Sequence, residues 1–430
     1  MTPLFSQIVR LTKSILLRPE DISRRPSAQF IAGKHSPFGF PSGIGLAWWY
    51  SNDTFHALNA VVALMIEHSP DFRDCDPESV SDAITKTLHE VCIDRAIFES
   101  NAVVSSRCLT LFDCRAVAVP QFAAAILKEI EASLRARIGK RCTIHAVPRF
   151  QVTSFRFAEE SIRVIAKKDR DAWQTLVNEG YQFDGWTPER PIVGSREDRT
   201  YAPPGDFECL LVAEEHGTQK GARFNSILRF RKLTAVLFAV ASKRAAHPYH
   251  KAMARPLEFC VQFPHKSNPD ALITRSDCDP VVPYFASDIP IGRDEVVATR
   301  DWYSRCFRCS ENTRSRIEKG AHFLNRGMNS DDIEAYINYF VTLDALFGER
   351  GSVEASILAG VRTLDVNAAY IEKASWLFDL RNEIVHGGSR YVTEWPKYTR
   401  YTQHFRSEPM ADVRCLAQLA VLRAPCVFAP

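Results

Sequence analysis

The chain lacks a Walker loop and a GxGxxG fingerprint, the glycine-rich cradles that seat nucleotide phosphates at a helix start. It holds no internal repeat and no low-complexity tract, which excludes solenoids and simple linker proteins. No apolar run approaches the ~20 residues a bilayer span requires. The longest, LTAVLFAVA at 233–241, falls well short. In the opening segment MTPLFSQIVRLTKSILLRPED, Arg10 and Lys13 interrupt the apolar residues before a signal-peptide core can form. That segment reads as a short amphipathic helix, and these absences point to a soluble, cytoplasmic protein without a membrane partner. Net charge is only +3 over 430 residues, so no global positive field marks a nucleic-acid binder, and any such site is local.

A dense disulfide framework is also missing: the 12 cysteines are scattered, as expected for reduced thiols serving as small buried apolar groups. Cys306 and Cys309 make the only CxxC, and no second pair stands at zinc-ligand spacing. Its surroundings, DWYSRCFRCSENTRSRIEKGAHFL, read as helix. His247 and His250 in AAHPYHKAMARP are three apart, yet Pro248 argues for a loop and no acidic or Cys partner is near. No metal and no cofactor are expected.

An apolar share of 46% with 24% charged residues is ordinary for a globular chain, and the length suits two or three domains. Residues 185–206 and 263–294 are rich in Pro, Gly and Asp, which favour turns, and they form the natural seams. Before the first, residues 59–66 and 119–137 read as helices, the latter with Phe122, Ile126, Ile130 and Leu134 on one stripe. FQVTSFRF, SIRVIA, FECLLVA, SILRFR and LEFCVQF read as strands. In KHSPFGFPSGIGLAWWY, the aromatics Trp48, Trp49 and Tyr50 suit core packing, with a recognition loop as the alternative. The expected fold class is an α+β N-terminal region over 1–295, with a sub-boundary near 185–206, followed by an all-α bundle over 296–430.

In that bundle a first helix is expected over 302–326, basic on one side with Arg305, Arg308, Arg314, Arg316 and Lys319. A second starts at Asp331 and Asp332, acidic residues suited to a helix N-terminus. A shorter one follows Ser352, a fourth covers 367–386 and a fifth 412–422. The fourth ends in RNEIVHGG. Cationic residues near a helix end and glycines beyond it are a common way to stop a helix. At about 100° per residue, however, Leu377, Leu380 and Ile384 define a buried stripe. Ser375, Asp379, Asn382 and His386 fall opposite, and Arg381 lies at the margin. In the second helix Asp344 interrupts the apolar line of Phe340 and Phe347. A carboxylate facing a core needs a partner, which Arg381 could supply as a bidentate pair.

YFVTLDALFG followed by WLFDLRNEIVHGG resembles the HEPN domain family, particularly its Apea-like branch, over about the last third of the chain. In that family a helical bundle carries an Arg, a polar residue directly after it and a His four to six residues beyond the Arg. Arg381, Asn382 and His386 match these positions, and Gly387 follows the His as in the Apea-like pattern. Asp344 stands where the family usually has Glu, keeping the charge with a shorter reach. Asp379 lies on the same polar line as a supporting residue, and Arg305 and Arg308 are candidate RNA contacts.

The resemblance implies a metal-independent endoribonuclease in which two such domains pair so that both motifs line one cleft, and thus a homodimer acting on RNA. A His titrating near pKa about 6.5 suits removal of a ribose 2′-hydroxyl proton. A planar guanidinium suits the charge building on phosphoryl oxygens. Proteins of this kind often join the nuclease to a sensing region in prokaryotic antiviral defence or toxin roles, so residues 1–295 are expected to meet an unknown trigger. The alternative is a non-catalytic HEPN-like module for dimerisation or for nucleotide or RNA binding. Over 296–430, 17 Lys and Arg stand against 16 Asp and Glu, so strong non-specific RNA affinity is not expected.

Overall fold

The computed structural model describes residues 2–17, 29–31, 48–50, 52–92, 96–105, 107–183, 186–187, 192–193, 200–201, 207–244, 260–268, 273–276, 280–364 and 368–428. His247, His250, most of the 185–206 seam and the Pro and Gly stretch before Trp48 lie outside the described residues. Packing divides the chain into two units. One comprises 1–141, 215–224 and 264–272, the other 142–214, 225–263 and 273–430.

The first unit contains helices α1 (Pro3–Ser14), α2 (Asn52–His68), α3 (Pro77–Val91), α4 (Ser100–Val104) and α5 (Val119–Arg135), with β1 (Gln29–Ile31) antiparallel to β2 (Trp48–Tyr50). Side-chain caps set two of the starts: Thr2 accepts from the Phe5 N–H at 3.3 Å, and Asp76 from the Ser79 N–H at 2.8 Å. The stripe Phe122, Ile126, Ile130 and Leu134 of α5 is fully buried, as its spacing dictates. Trp48 is buried too, edge-on to His89 with ring centroids 4.8 Å apart.

The second unit begins with a sheet, although the first residues of β3 and α7 and the last of β9 and β10 are counted with the first unit. Its elements are β3 (Gly139–Pro148), β4 (Phe150–Val152), β5 (Phe155–Phe157), β6 (Ile162–Ala166), helix α6 (Arg170–Asn178), the pair β7 (Ile192–Val193) and β8 (Thr200–Tyr201), β9 (Phe207–Gly217), helix α7 (Gln219–Arg244), β10 (Cys260–Pro264), β11 (Thr274–Ser276) and β12 (Ile289–Ile291). Six strands order as β11-β10-β3-β9-β6-β5, with β6 antiparallel to β9 in the register Ile162↔Ala213. Period-two alternation sorts the side chains of β9: Cys209, Leu211 and Ala213 enter one core, Leu210 and Val212 another. The sheet is therefore buried on both faces, which explains strands of nearly continuous apolar character.

SILRFR, expected as a strand, lies inside α7. Its apparent alternation is too short to distinguish the two periods, and the following LTAVLFAVA is buried on every side, so no amphipathic stripe marks the helix. Helices α8 (Arg293–Arg308), α9 (Glu311–Asn329), α10 (Asp332–Phe347), α11 (Val353–Arg362), α12 (Ala368–Val385), α13 (Tyr398–Phe405) and α14 (Pro409–Val427) complete the chain. The single helix expected over 302–326 is two, because Cys309 is extended and the Ser310 hydroxyl accepts from the Thr313 N–H at 3.3 Å to start α9 anew. The CxxC closes α8, with Cys306 buried and its thiol pushed up to about 12 by that burial. The chain thus has a mixed α and β part followed by a helical part, and among the described residues no helix is long and apolar enough to cross a membrane.

The helices share one core with the near face of the sheet, and two buried polar joints fix them there. Asn325 of α9 donates to Thr234 Oγ1 at 2.9 Å and to the Val281 carbonyl at 2.7 Å. Lys232 of α7 donates to Glu160 Oε1 at 2.6 Å and Glu318 Oε1 at 2.9 Å, its ammonium 5.3 Å from the Tyr303 ring centroid. Lys232 and Glu160 are both more than nine-tenths buried. Lys232→Met strands a buried carboxylate and is expected to lower unfolding free energy by about 3–5 kcal/mol. Denaturant titration measures this, and adding Glu160→Leu should restore a large part.

Burial holds His89 down at about 3, and burial with Arg231 and Arg326 nearby holds His322 down at about 4. An unfolded histidine takes its proton near 6.5, so between that value and about 4 the unfolded chain binds more protons and stability falls as pH falls. Melting temperature should drop from pH 7 to pH 5, and His322→Phe should flatten part of that drop.

Candidate active site at the end of the motif helix

Helix α12 is held by its apolar stripe: Leu377, Leu380 and Ile384 are buried. The Tyr336 hydroxyl of α10 donates to the Leu377 carbonyl at 2.6 Å. Ser375, Asp379 and His386 are exposed and Asn382 half-buried, as the helical wheel predicts. Lys373 on the same helix bonds Asp412 of α14 at 2.7 Å, and Asp412 also accepts from the Tyr401 hydroxyl at 2.8 Å.

The helix stops through its backbone. Gly387 has φ +77°, its N–H donates to the Ile384 carbonyl at 3.0 Å, and the Gly388 N–H donates to the Glu383 carbonyl at 2.9 Å. These two bonds make a Schellman end. The glycines thus satisfy the last carbonyls, and the imidazole of His386 takes no part in capping.

Arg381 donates to Asn382 Oδ1 at 3.0 Å, and its guanidinium carbon lies 5.8 Å from the Phe378 ring centroid. The pairing expected between Arg381 and Asp344 is not formed. Asp344 is exposed and folds back over Gly348, where a Cβ would lie 1.8 Å from its Oδ1. A carboxylate in the last turn of α10 reaches solvent past that turn and needs no buried partner. Both residues nevertheless line one small cavity of about 50 Å³ with Ile337, Phe340, Val353 and Val385. His386 does not line it; it sits beyond the end of α12, exposed and with no side-chain hydrogen bond among the described residues.

Asp379 anchors the segment that follows the motif, accepting from Trp395 Nε1 at 3.1 Å and from Lys397 Nζ at 2.9 Å. Arg305 and Arg308 are exposed on α8, Arg305 donating to Cys426 Sγ at 2.8 Å and Arg308 to the Ser304 carbonyl at 3.3 Å. Arg316, expected on the same basic face, reaches the Gly348 carbonyl at 3.2 Å and caps α10.

Sequence reading does not find the cavity of about 510 Å³ at the start of α10, lined by Arg326, Asn329, Asp331, Asp332, Arg390 and Tyr391 among others. Its sequence signal is slight: Arg390 and Tyr391 come soon after the Gly-Gly, and Tyr391 is 55% exposed. Among the described residues no group of His, Cys, Asp and Glu is arranged to hold a metal ion. In comparisons with known proteins, no family model, no curated protein and no solved structure matches this chain.

Gly387→Ala places a side chain in the left-handed region and is expected to cost about 1–2 kcal/mol. Thermal melts of that variant beside Gly387→Asn should show the smaller loss for Asn, which tolerates this conformation better.

Proposed function

We propose that the C-terminal helices act as a metal-independent endoribonuclease of the HEPN type, working as a homodimer. The observation that carries the reading is an exposed His386 released from capping, one turn past Asn382 on the polar side of α12, with Arg381 hydrogen-bonded to Asn382 from the margin of the buried stripe. In the proposed reaction the His386 imidazole takes the proton of a ribose 2′-hydroxyl, whose oxygen attacks the adjacent phosphorus. The bond from phosphorus to the 5′-oxygen breaks, and that oxygen leaves with a proton, giving a 2′,3′-cyclic phosphate and a 5′-hydroxyl. Arg381 donates to the phosphoryl oxygens as charge builds on them, and Asn382 orients the guanidinium that it already accepts from.

Val385 and Tyr391, 51% and 55% exposed, put apolar surface on either side of His386 in the chain, which suits a face covered by a second copy. In this reading residues 1–295 carry a sensing or restraining role in a defence or toxin system.

A second reading is a non-catalytic module for dimerisation or RNA binding. It is favoured by the Schellman end, which accounts for Gly387 and Gly388 without chemistry, and by the lack of a bond between Asp344 and Arg381. Total RNA incubated with the full chain in EDTA separates the two. The nuclease reading predicts fragmentation that His386→Ala reduces by roughly 10²–10⁴-fold with an unchanged melting temperature, and that Arg381→Ala also abolishes. RNA left intact by the wild type, or cut equally by these variants, removes the nuclease reading.

A further inference from the structure

We propose that the groove where β6 meets α6 is a binding site for a nucleotide, taken either free or as part of a single-stranded RNA, independent of the motif on α12. Two cavities of about 380 and 480 Å³ adjoin there and share Ala166, Asp169 and Arg170 in their walls. The first volume is in the range that holds a nucleotide-sized ligand, and the second is a shallow, open depression beside it.

The walls carry the chemistry of phosphate and base recognition. Lys167 and Arg170 line the first cavity, Lys168 and Arg170 the second, so three cations stand within four consecutive residues along a turn that opens on both spaces. Lys168 and Arg170 are exposed and make no ion pair among the described residues. Their carboxylate neighbour Asp169 is committed to the fold, accepting from the Ala172 N–H at 3.0 Å, and its hydrogen bonds from Ser154 and Ala172 hold it ionised below the usual carboxylate range. A second carboxylate, Asp171, also lines the second cavity and is exposed beside Arg170, so the three cations exceed the carboxylates of the groove by one; with no ion pair to either carboxylate, Lys168 and Arg170 can still meet an incoming anion. Arg170 faces both cavities, so one guanidinium can bridge two successive phosphates or grip one through two oxygens.

The first cavity also has an aromatic wall. Trp173 lines it half-buried, supported from behind by Phe183 and Trp186 at ring-centroid distances of 5.1 and 5.4 Å. Phe207 lies on the same wall, with the Lys167 ammonium 4.5 Å from its ring centroid. A planar base lodged beside a rigidly backed indole, with its phosphate toward Arg170 and Lys168, uses both halves of the groove. Thr153 adds a hydroxyl to the wall of the second cavity, while that of Ser154 is taken up by Asp169 and by the Ala166 N–H.

The test uses the full chain and two probes: ATP followed by calorimetry, and a short fluorescein-labelled 2′-O-methyl oligouridylate followed by anisotropy, the methyl groups preventing cleavage at the α12 motif. At least one probe should bind, and the double variant Lys168→Glu with Arg170→Glu should weaken it at least tenfold while circular dichroism and melting temperature stay those of the wild type. ATP binding alone names a free nucleotide as the occupant, and oligouridylate binding alone names RNA. Failure of both probes to bind the wild type, or binding that the double variant leaves intact, overturns the proposal, and removal of that binding by Arg381→Ala would place it at the α12 motif instead. Because Lys168 and Arg170 are remote in sequence from α12, RNA cleavage at the motif and binding in the groove can fail separately.

Discussion

The left-handed turn at Gly387 is the constraint on which the chemistry proposed for the C-terminal helices depends. A helix leaves its last carbonyls without partners, and nearby polar side chains are the usual recruits. In this helix the main chain of Gly387 and Gly388 answers the Ile384 and Glu383 carbonyls instead. Asn382 and His386, which side-chain capping would otherwise occupy, are left for other work, and a Cβ at residue 387 would strain the turn that allows this. The Arg, the His and the paired glycines of RNEIVHGG are thus separate parts, the glycines ending the helix, His386 facing out from it and Arg381 half-buried at its margin.

The proposed reaction requires α12 to be held still, since catalytic geometry tolerates little displacement. Three polar ties fix it inside the bundle: the Tyr336 hydroxyl on the Leu377 carbonyl, the Lys373 bond to Asp412, and Asp379 gripping Trp395 and Lys397 of the following segment. The bundle in turn is fastened to α7 by Asn325 and by Lys232, which bonds Glu318 of α9 and Glu160 in the turn before β6. A single core runs from Val147 to Ala424 without a break between sheet and helices. Within this unit the helices and the near face of the sheet are one packed body.

Much of this is legible where a single period rules the pattern. The α5 stripe of Phe122, Ile126, Ile130 and Leu134 and the polar line of Ser375, Asp379, Asn382 and His386 both fall where 3.6 residues per turn put them. The Asp332 start of α10 and the alternation in FECLLVA are equally plain. The pattern misleads where tertiary burial erases the period. Residues 233–241 of α7 are buried all round, and SILRFR beside them mimics a strand. The break at Cys309 is written only in Ser310, a cap residue inside a long helical pattern. Asp344 escapes prediction because residue spacing gives the angle of a side chain around a helix but not how far the neighbouring helix extends; α10 ends three residues later and leaves the carboxylate in water. The groove at α6 is equally hidden, because Lys167, Lys168 and Arg170 look like an ordinary solvated run until the cavities beside them are seen.

The most direct measurement of the central claim is the chemistry of the cut ends. RNA fragments produced by the purified chain in EDTA should carry 2′,3′-cyclic phosphate and 5′-hydroxyl termini, the signature of attack by the ribose hydroxyl with His386 receiving its proton. Fragments ending in 3′-hydroxyl and 5′-phosphate would mean that water or another nucleophile, and not the 2′-oxygen, makes the cut, and would contradict the roles of Arg381 and His386 in the proposed reaction.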